Sequence, residues 1–278
     1  MSDLSLLFRE DANSDGKLLS SVQDIIDSEV SFFEDTISIT VSNKIPDTTK
    51  IPIGKPTHWT KIPDVICSFV DMEGSTKLSA SVHEKGTASS YRLFTETAIR
   101  IFSEFGSPYI DVKGDGVFAL FDYDKPYTAL AATVSFKSFV EDYFTPLIKK
   151  KTGLIIGGHF GIDQKTVLVK KLGFKRYQGR SDRQNEVWAG KPINMAAKLA
   201  SLSTGNRLWV SDRYFNNLKD EKALYSCGCN AEEKAGLWQK EALEDDNRFD
   251  FSTAYSLRSN WCDLHGKSFC ASLIRLDD

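Results

Sequence analysis

The pattern of apolar and polar positions separates a polar N-terminal stretch from a region where apolar runs alternate with amphipathic ones. Residues 1–60 hold few large apolar clusters, although SSVQDIIDSEVSFFEDTISI has the spacing of one amphipathic helix. NKIPDTTKIPIGKP follows, and its prolines predict an extended connector because proline disrupts a helix interior. We therefore place the main domain boundary near Lys61, after an N-terminal helical extension and linker over 1–60.

Beyond this boundary the pattern predicts the order β-α-β-β-α-β, which is typical of a ferredoxin-like sheet with helices on one face. The predicted elements are VICSFV, a strand; GTASSYRLFTETAIRIFSEF, a helix ending at Gly106; YIDVKGDGVFALF, two strands; YTALAATVSFKSFVEDYFTPLI, a helix; and GLIIGGHFGID with KTVLVKKLGF, a strand pair. A helix over KPINMAAKLASLS and a strand at RLWVSD follow. We expect an α+β domain over 61–215.

The last sixty residues have a mixed pattern, with strands expected near ALYSC and STAYSLRS. We expect residues 216–278 to form a C-terminal extension, rich in β-structure and cysteine, that completes the domain.

Composition narrows the class of protein. The net charge is −3, so no global basic field indicates a nucleic-acid partner. No apolar run approaches the roughly 20 residues of a membrane span, and the acidic N-terminus lacks the basic start of a secretion signal. Five cysteines in a long chain favour a reducing compartment over a disulfide framework. These features predict a cytoplasmic protein.

Two aspartates stand where the chain turns. In FVDMEGST, Asp71 ends an apolar strand and a small-residue turn follows it; in VKGDGVFALF, Asp115 lies between two glycines. The strands involved are neighbours in a ferredoxin-like sheet, so both carboxylates can reach one edge, where a cation would relieve their repulsion. Backbone N–H groups of the GST turn suit a phosphate. Taken separately, Asp71 is more typical of a helix N-cap and Asp115 of a turn than either is of a catalytic site, whereas together they favour a metal site.

Three motifs in this order, FVDMEGST, VKGDGVFALF and GKPINMAAKLAS, resemble the class III nucleotidyl cyclase family over about residues 62–215. The resemblance implies that Asp71 and Asp115, with Met72 beside them, bind two Mg²⁺ or Mn²⁺ ions. It also implies that residues in the segment from Phe69 through Thr76 contact the nucleotide triphosphate. These residues are Phe69, Met72, Glu73, Gly74, Ser75 and Thr76.

The third motif of the family supplies an asparagine and, four residues later, an arginine. Here these positions hold Asn194 and Lys198, which keeps the positive charge but loses the planar fork of arginine. The resemblance implies that Asn194 orients the ribose and Lys198 neutralises charge as the 3′-hydroxyl attacks the α-phosphate. It also implies a homodimer with shared active sites. A solvated helix face is the alternative interpretation of this pair.

The position that reads the base in adenylyl and guanylyl members holds Asp111 here, in place of lysine or glutamate. The second base-reading region contains Glu186 and Trp188, and Arg176 is a further candidate donor to a base carbonyl. These departures resemble the bacterial pyrimidine cyclases of Pycsar-type antiphage defence, which make cyclic UMP or cyclic CMP for a separate effector protein. We favour UTP; CTP, adenylyl or guanylyl specificity and an inactive nucleotide sensor stay open.

Two further motifs contain metal-ligand residue types. Cys227, Cys229, Cys262, His265 and Cys270 cluster in the C-terminal region, where either a structural zinc ion or buried thiols would account for them. DANSDG at 11–16 matches half of a calcium loop, but Val22 stands where that loop needs a glutamate. We interpret DANSDG as a loop or helix cap.

Overall fold

A computed structural model describes residues 18–51, 53, 57–176, 178–229, 233–243 and 246–278. The DANSDG motif lies outside these residues. The strands of the described part are β1 (Ser38–Val41), β2 (His58–Glu73), β3 (Tyr109–Lys113), β4 (Gly116–Phe121), β5 (Gly157–Gly173), β6 (Gln184–Gly190), β7 (Leu208–Ser211), β8 (Trp238–Ala242) and β9 (Thr253–Leu257).

The strands form one sheet in the order β3-β4-β2-β5-β7-β9-β8, with β1 also paired to β2 and β6 to β5. Within it, β3, β4, β2 and β5 are antiparallel neighbours. With the intervening helices, this is the ferredoxin-like arrangement, so the predicted fold class is confirmed.

The helices are α1 (Ser20–Glu34), α2 (Ser75–Ser81), α3 (Glu84–Glu104), α4 (Pro126–Phe139), α5 (Thr145–Thr152), α6 (Lys191–Ala200), α7 (Asp212–Phe215), α8 (Glu221–Leu224) and α9 (Gly266–Ile274). A π-helical turn, Val140–Phe144, joins α4 to α5. Short 3₁₀ turns cover Thr48–Lys50 and Arg275–Asp277. None of the helices in the described ranges is both long and apolar enough to cross a membrane.

Alternation along β2 gives the sheet two buried faces. Ile66 and Val70 face the larger core, where α3 and α4 pack and the rings of Phe94 and Phe136 meet edge to face at 5.0 Å. Cys67 faces the smaller core on the opposite side, together with residues of β4, β5 and α6. Helices were predicted on one face of the sheet only, whereas in the structure α3 and α4 cover one face and α6 packs on the other.

The N-terminal segment differs from its prediction. The single helix expected over SSVQDIIDSEVSFFEDTISI ends at Glu34, and Ser38–Val41 instead forms a strand parallel to the start of β2. Three of the four residues in SITV are β-branched, which favours a strand once a neighbouring strand is available. No residue of α1 is buried, and the large apolar side chains Ile25, Val30 and Phe33 are exposed.

Two further element predictions were wrong, and two strands were missed. GLIIGGHFGID and KTVLVKKLGF do not form a strand pair, because β5 runs without a turn from Gly157 to Gly173 and pairs with β2 along most of its length. ALYSC is not a strand: Glu221–Leu224 is helical, and only Tyr225 makes an isolated bridge, to Gly236. The strands β6 and β8 were not predicted, whereas β9 confirms the expectation for STAYSLRS.

Strand pairing and hydrogen bonds attach the C-terminal extension to the rest of the fold. Strand β9 pairs with β7, which adds β9 and β8 to the sheet. Near the C-terminus, the Asp277 carboxylate accepts hydrogen bonds from the backbone N–H groups of Tyr127 at 3.1 Å and Thr128 at 2.6 Å. Because a helix start has unpaired N–H groups, this contact caps α4.

Candidate active site

Asp71, near the end of β2, and Asp115, in the turn that precedes the neighbouring antiparallel strand β4, lie at the same edge of the sheet. The ladder between β2 and β4 ends with Val70 opposite Val117, which leaves Asp71 beside Gly116 and next to the turn that carries Asp115. A Cβ atom on Gly116 would come within 3.3 Å of Asp71 Oδ1. The glycine therefore leaves room at the carboxylate, as a ligand approaching it would require.

Neither carboxylate is neutralised by a neighbouring lysine or arginine among the residues that the structure describes. The Asp71 side chain is 35% exposed, and Asp115 is half-buried. Two partly solvated carboxylates at one edge supply the hard oxygen atoms that Mg²⁺ and Mn²⁺ prefer. The residues present thus fit the divalent ions that the fold family implies.

His159 is a neighbour of Asp71 that sequence reasoning did not identify. The two residues pair directly across β2 and β5, and His159 Nδ1 lies 4.0 Å from Asp71 Oδ2. This pair is ionic only when the imidazole is protonated. The pairing of β2 with β5 determines that these two residues are neighbours. This pairing could not be assigned from the sequence, because β5 was predicted as two separate strands.

The turn after Asp71 has the geometry expected for a loop that leads into a helix. Gly74 adopts a left-handed conformation, with φ of 78°, and Ser75 begins α2. The first N–H groups of a helix have no intrahelical partner and point outward. The Met72 side chain is buried in the larger core, so only its backbone can contact a ligand. Phe69 packs against the smaller core on the Asp71 side of the sheet.

Asn194 and Lys198 lie together on α6, on the side away from the sheet. Met195, Ala196 and Leu199 are buried against the strands, whereas Asn194 is exposed and Lys198 half-exposed. Their four-residue spacing puts them on one helix face. Within one chain this face points away from the sheet surface that carries the aspartates.

Lys198 is held by the loop between β8 and β9. Its Nζ donates to the carbonyl oxygen of Arg248 at 2.7 Å. Two residues later, Asp250 accepts from Lys191 at 2.8 Å and from Arg213 at 3.1 Å. This loop belongs to the C-terminal extension, and no spacing of residues along the chain would have linked it to α6.

Three of the proposed base-reading residues converge around Tyr109. The centre of its ring lies 4.6 Å from that of Trp188. Burial of the Tyr109 hydroxyl and, to a lesser extent, the negative charge of Asp111 raise the pKa of Tyr109 to about 12. Asp111 accepts a hydrogen bond from the backbone N–H of Val112.

Ion pairs engage both acidic groups of this region. Asp111 pairs with Lys113 at 2.8 Å, and Glu186 pairs with Lys171 at 3.0 Å. Arg176 is exposed on the loop between β5 and β6, and in the described part of the chain no ion pair joins it to Asp111 or Glu186. The structure thus groups Asp111, Glu186 and Trp188 but not Arg176.

Comparison with known proteins gives relatives named uridylate cyclase, and two of them match this chain at more than 30% identity over most of its length. The protein from Propioniciclava tarda is 32% identical over 265 residues, which cover 92% of this chain and 84% of that protein. The protein from Micromonospora echinofusca is 31% identical over 237 residues, which cover 82% of this chain and 74% of that protein. The chain belongs to the uridylate cyclase family.

Membership of the uridylate cyclase family makes the chain an enzyme of the nucleotidyl cyclase class. No protein-family model matches the chain. Among solved structures, the adenylyl cyclase CyaB from P. aeruginosa is similar, with a TM-score of 0.57 at 15% identity, over 73% of this chain and 96% of that chain. This likeness concerns the fold and confirms the class III cyclase architecture.

A second set of metal-ligand side chains lies in the C-terminal extension of this family member. Cys227, Cys229, Cys262 and His265 each offer one ligand atom, and these atoms all lie within 4.8 Å of one another. The structure therefore brings together four of the five residues singled out in the sequence, and the group could hold a metal ion. Cys270 is not part of it.

Proposed function

We propose that this chain is a metal-dependent cyclase that converts UTP to cyclic UMP and pyrophosphate. The observation that carries the proposal is the similarity to two uridylate cyclases over most of the chain. The position of Asp71 and Asp115 at one edge of the sheet supports it, because cyclisation needs a cation beside the triphosphate.

Asp71 and Asp115 would bind two Mg²⁺ or Mn²⁺ ions, together with the backbone of Met72. When bound, these ions would supply Lewis-acid activation of the ribose 3′-hydroxyl and charge neutralisation at the triphosphate. The open space at Gly116 supports this assignment, since a side chain there would crowd the Asp71 carboxylate.

The remaining residues would bind and orient the substrate. Backbone N–H groups from Met72 to Thr76, a segment that includes Glu73, would hold phosphate oxygens, and Phe69 lies shortly before that segment. Asn194 would orient the ribose, and Lys198 would neutralise negative charge that develops on the phosphate. In the reaction, O3′ forms a bond to the α-phosphorus, the bond from that phosphorus to the bridging oxygen breaks, and the hydroxyl proton passes to solvent.

The base would be read near Tyr109. A uracil presents two carbonyl acceptors and one N–H donor, and Asp111 could accept from that N–H. Trp188 would fill space that a purine ring needs, because its ring is already packed against Tyr109. Arg176 would contact a base carbonyl if its exposed loop folds over the substrate. Glu186 would act in the same region. Cytosine offers a different donor set, so the same residues also define the CTP alternative.

We also propose a homodimer with shared active sites. Asn194 and Lys198 face away from the aspartates of their own chain, so a second copy would have to present its α6 face to complete each site. The exposed apolar side chains of α1, among them Ile25 and Phe33, support self-association because burying them would be favourable.

The proposed cellular role is synthesis of a second messenger in antiphage defence, in the cytoplasm. It rests on the resemblance to Pycsar-type pyrimidine cyclases. The product would act through a separate cyclic-nucleotide effector protein, and neither nucleic acid nor membrane is an expected partner.

The deciding experiment incubates the purified chain with each of the four ribonucleoside triphosphates and Mn²⁺ and identifies products by mass spectrometry. We expect cyclic UMP to dominate, and the matched variant Asp115→Asn, prepared identically, to form none. Dominant cyclic CMP would move the specificity to cytidine. Dominant cyclic AMP or cyclic GMP would overturn the pyrimidine assignment. Nucleotide binding without any cyclic product would support an inactive sensor.

A further inference from the structure

Three thiols and one imidazole converge in the C-terminal extension, apart from the carboxylate edge. The Sγ atoms of Cys227 and Cys229 are 3.2 Å apart, and those of Cys229 and Cys262 are also 3.2 Å apart. His265 Nδ1 lies 3.9 Å from the Cys262 sulfur. Three sulfur atoms and one imidazole nitrogen, from two separate segments of the chain, thus lie within 4.8 Å of one another.

The local sequence favours this convergence at both segments. Gly228 has φ of 78°, a left-handed conformation that turns the backbone between Cys227 and Cys229 and is favourable for glycine. In the second segment, the N–H of Gly266 donates to the carbonyl oxygen of Cys262 at 2.7 Å, which closes a turn. That turn places His265, at the start of α9, on the same side as Cys262.

The distances fit a tetrahedral metal site better than a disulfide. A disulfide needs sulfur atoms about 2.05 Å apart, and the two sulfur pairs are at 3.2 Å. Zinc–sulfur bonds of about 2.3 Å in a tetrahedron put sulfur atoms about 3.8 Å apart. An outward shift of a few tenths of an ångström per sulfur would therefore accommodate the ion.

The two segments are already fastened to different parts of the protein. On one side, the Trp261 indole donates to Ser135 Oγ at 2.9 Å, and its backbone N–H donates to Ser138 Oγ at 3.2 Å, which ties the Cys262 segment to α4. On the other side, the Ser226 N–H donates to Ala235 O at 2.8 Å. A metal ion bridging them would cross-link the extension over α4.

We propose that Cys227, Cys229, Cys262 and His265 bind one structural zinc ion that joins two segments of the C-terminal extension, one of which is hydrogen-bonded to α4 through Trp261. All four positions are filled by protein ligands, which is the composition of a closed structural site and leaves no position for substrate. Thiolate and imidazole ligands also select zinc over the hard ions expected at Asp71 and Asp115. The two metal sites are therefore chemically distinct.

The test begins with the full chain purified without chelators and analysed for metal by mass spectrometry. We expect about one zinc ion per chain. Cys262→Ser and Cys229→Ser should each lose most of this zinc, whereas Cys270→Ser, a matched change in the same region, should keep it. The Asp115→Asn variant should also keep it, which separates the zinc site from the catalytic metals.

A second measurement covers the case in which the cysteine variants do not fold. The wild-type chain, grown with cobalt in place of zinc, should show the absorption of a tetrahedral thiolate–Co²⁺ site, and Cys270→Ser should show the same spectrum. Wild-type protein without bound metal, or with a Cys229–Cys262 or Cys227–Cys229 disulfide in its non-reduced peptide map, would overturn the proposal. Neither result depends on cyclase turnover.

Discussion

Gly161 of β5 lies directly beneath Ala196 of α6, so close that a Cβ atom on the glycine would come within 2.0 Å of the Ala196 carbonyl oxygen. The same Cβ atom would be 2.7 Å from the backbone nitrogen of Ala200. Only glycine lets α6 pack this closely on the sheet. Because α6 carries Asn194 and Lys198, this backbone contact fixes where those two side chains are presented.

Gly161→Ala should therefore displace α6. We expect a loss of roughly 1–3 kcal/mol in the free energy of unfolding, or more, since the clash involves backbone atoms that cannot rotate away. Urea unfolding of the variant measures this loss. The matched control is Gly236→Ala, where a Cβ atom would meet nothing within 4 Å. Equal stability of the two variants would show that α6 does not depend on the glycine.

Asp115→Asn should abolish turnover and leave the fold intact. The change removes one of the two proposed anionic metal ligands from a half-buried turn position without adding a buried charge, so we expect at least a ~100-fold fall in kcat. The control Asp124→Asn changes an exposed aspartate just beyond the opposite end of β4, where it pairs with Lys44. Steady-state kinetics and circular dichroism compare them. Retained activity in Asp115→Asn would refute the metal assignment.

Asp111→Ala should change the relative rates on the four nucleotides more than it changes stability. The carboxylate forms one exposed ion pair with Lys113, and such pairs contribute about 0–1 kcal/mol. Competition assays with mixed triphosphates measure preference, and thermal unfolding measures stability. Lys113→Ala removes the partner and serves as the control. An unaltered product ratio in Asp111→Ala would show that this carboxylate does not read the base.

Asp250→Asn should destabilise the protein at neutral pH and less so in acid. Partial burial raises the pKa of Asp250, but hydrogen bonds from Lys191 and Arg213 lower it more, so the pKa of this carboxyl lies well below its usual range. A lowered carboxyl pKa contributes stability above the unfolded pKa of about 4, and this contribution is lost as the pH falls further. We expect a deficit of roughly 1–3 kcal/mol at pH 7.

Urea titrations of wild type and Asp250→Asn from pH 7 downward measure that dependence. The control Asp24→Asn changes an exposed aspartate of α1. A deficit of Asp250→Asn that stays constant down to the acid range would contradict the assigned role of its charge.

Sequence reasoning predicted the part of the fold whose signals are local. The turn glycines beside Asp71 and Asp115, the amphipathic spacing of α3 and the largely apolar sequence of α4 act within a few residues, so the ferredoxin-like order followed from them. The long strand β5 was missed because its polar residues Asp163 and Gln164 imitate a turn. Both are buried in the fold, and Asp163 bonds Arg213.

In the candidate site, too, the residues in local motifs could be predicted from the sequence, whereas the contacts made by tertiary packing could not. Asp71, Asp115, Asn194 and Lys198 lie in contiguous motifs, so their numbers could be assigned without a structure. The contacts of His159 with Asp71 and of Arg248 with Lys198 depend on strand register and on a distant loop. Tertiary packing creates these neighbours, and no local spacing in the sequence encodes them.

In the proposed homodimer, each active site takes its aspartates from one chain and Asn194 with Lys198 from the other. Mixing two variants that are inactive alone tests this arrangement directly. Asp115→Asn and Asn194→Ala are each inactive alone on this account. After co-refolding or subunit exchange in equal amounts, half of the dimers would be mixed and each would hold one intact site, so about a quarter of wild-type cyclase activity should return. Activity that stays at the level of the separate variants, in dimers shown to have exchanged, would contradict the shared site.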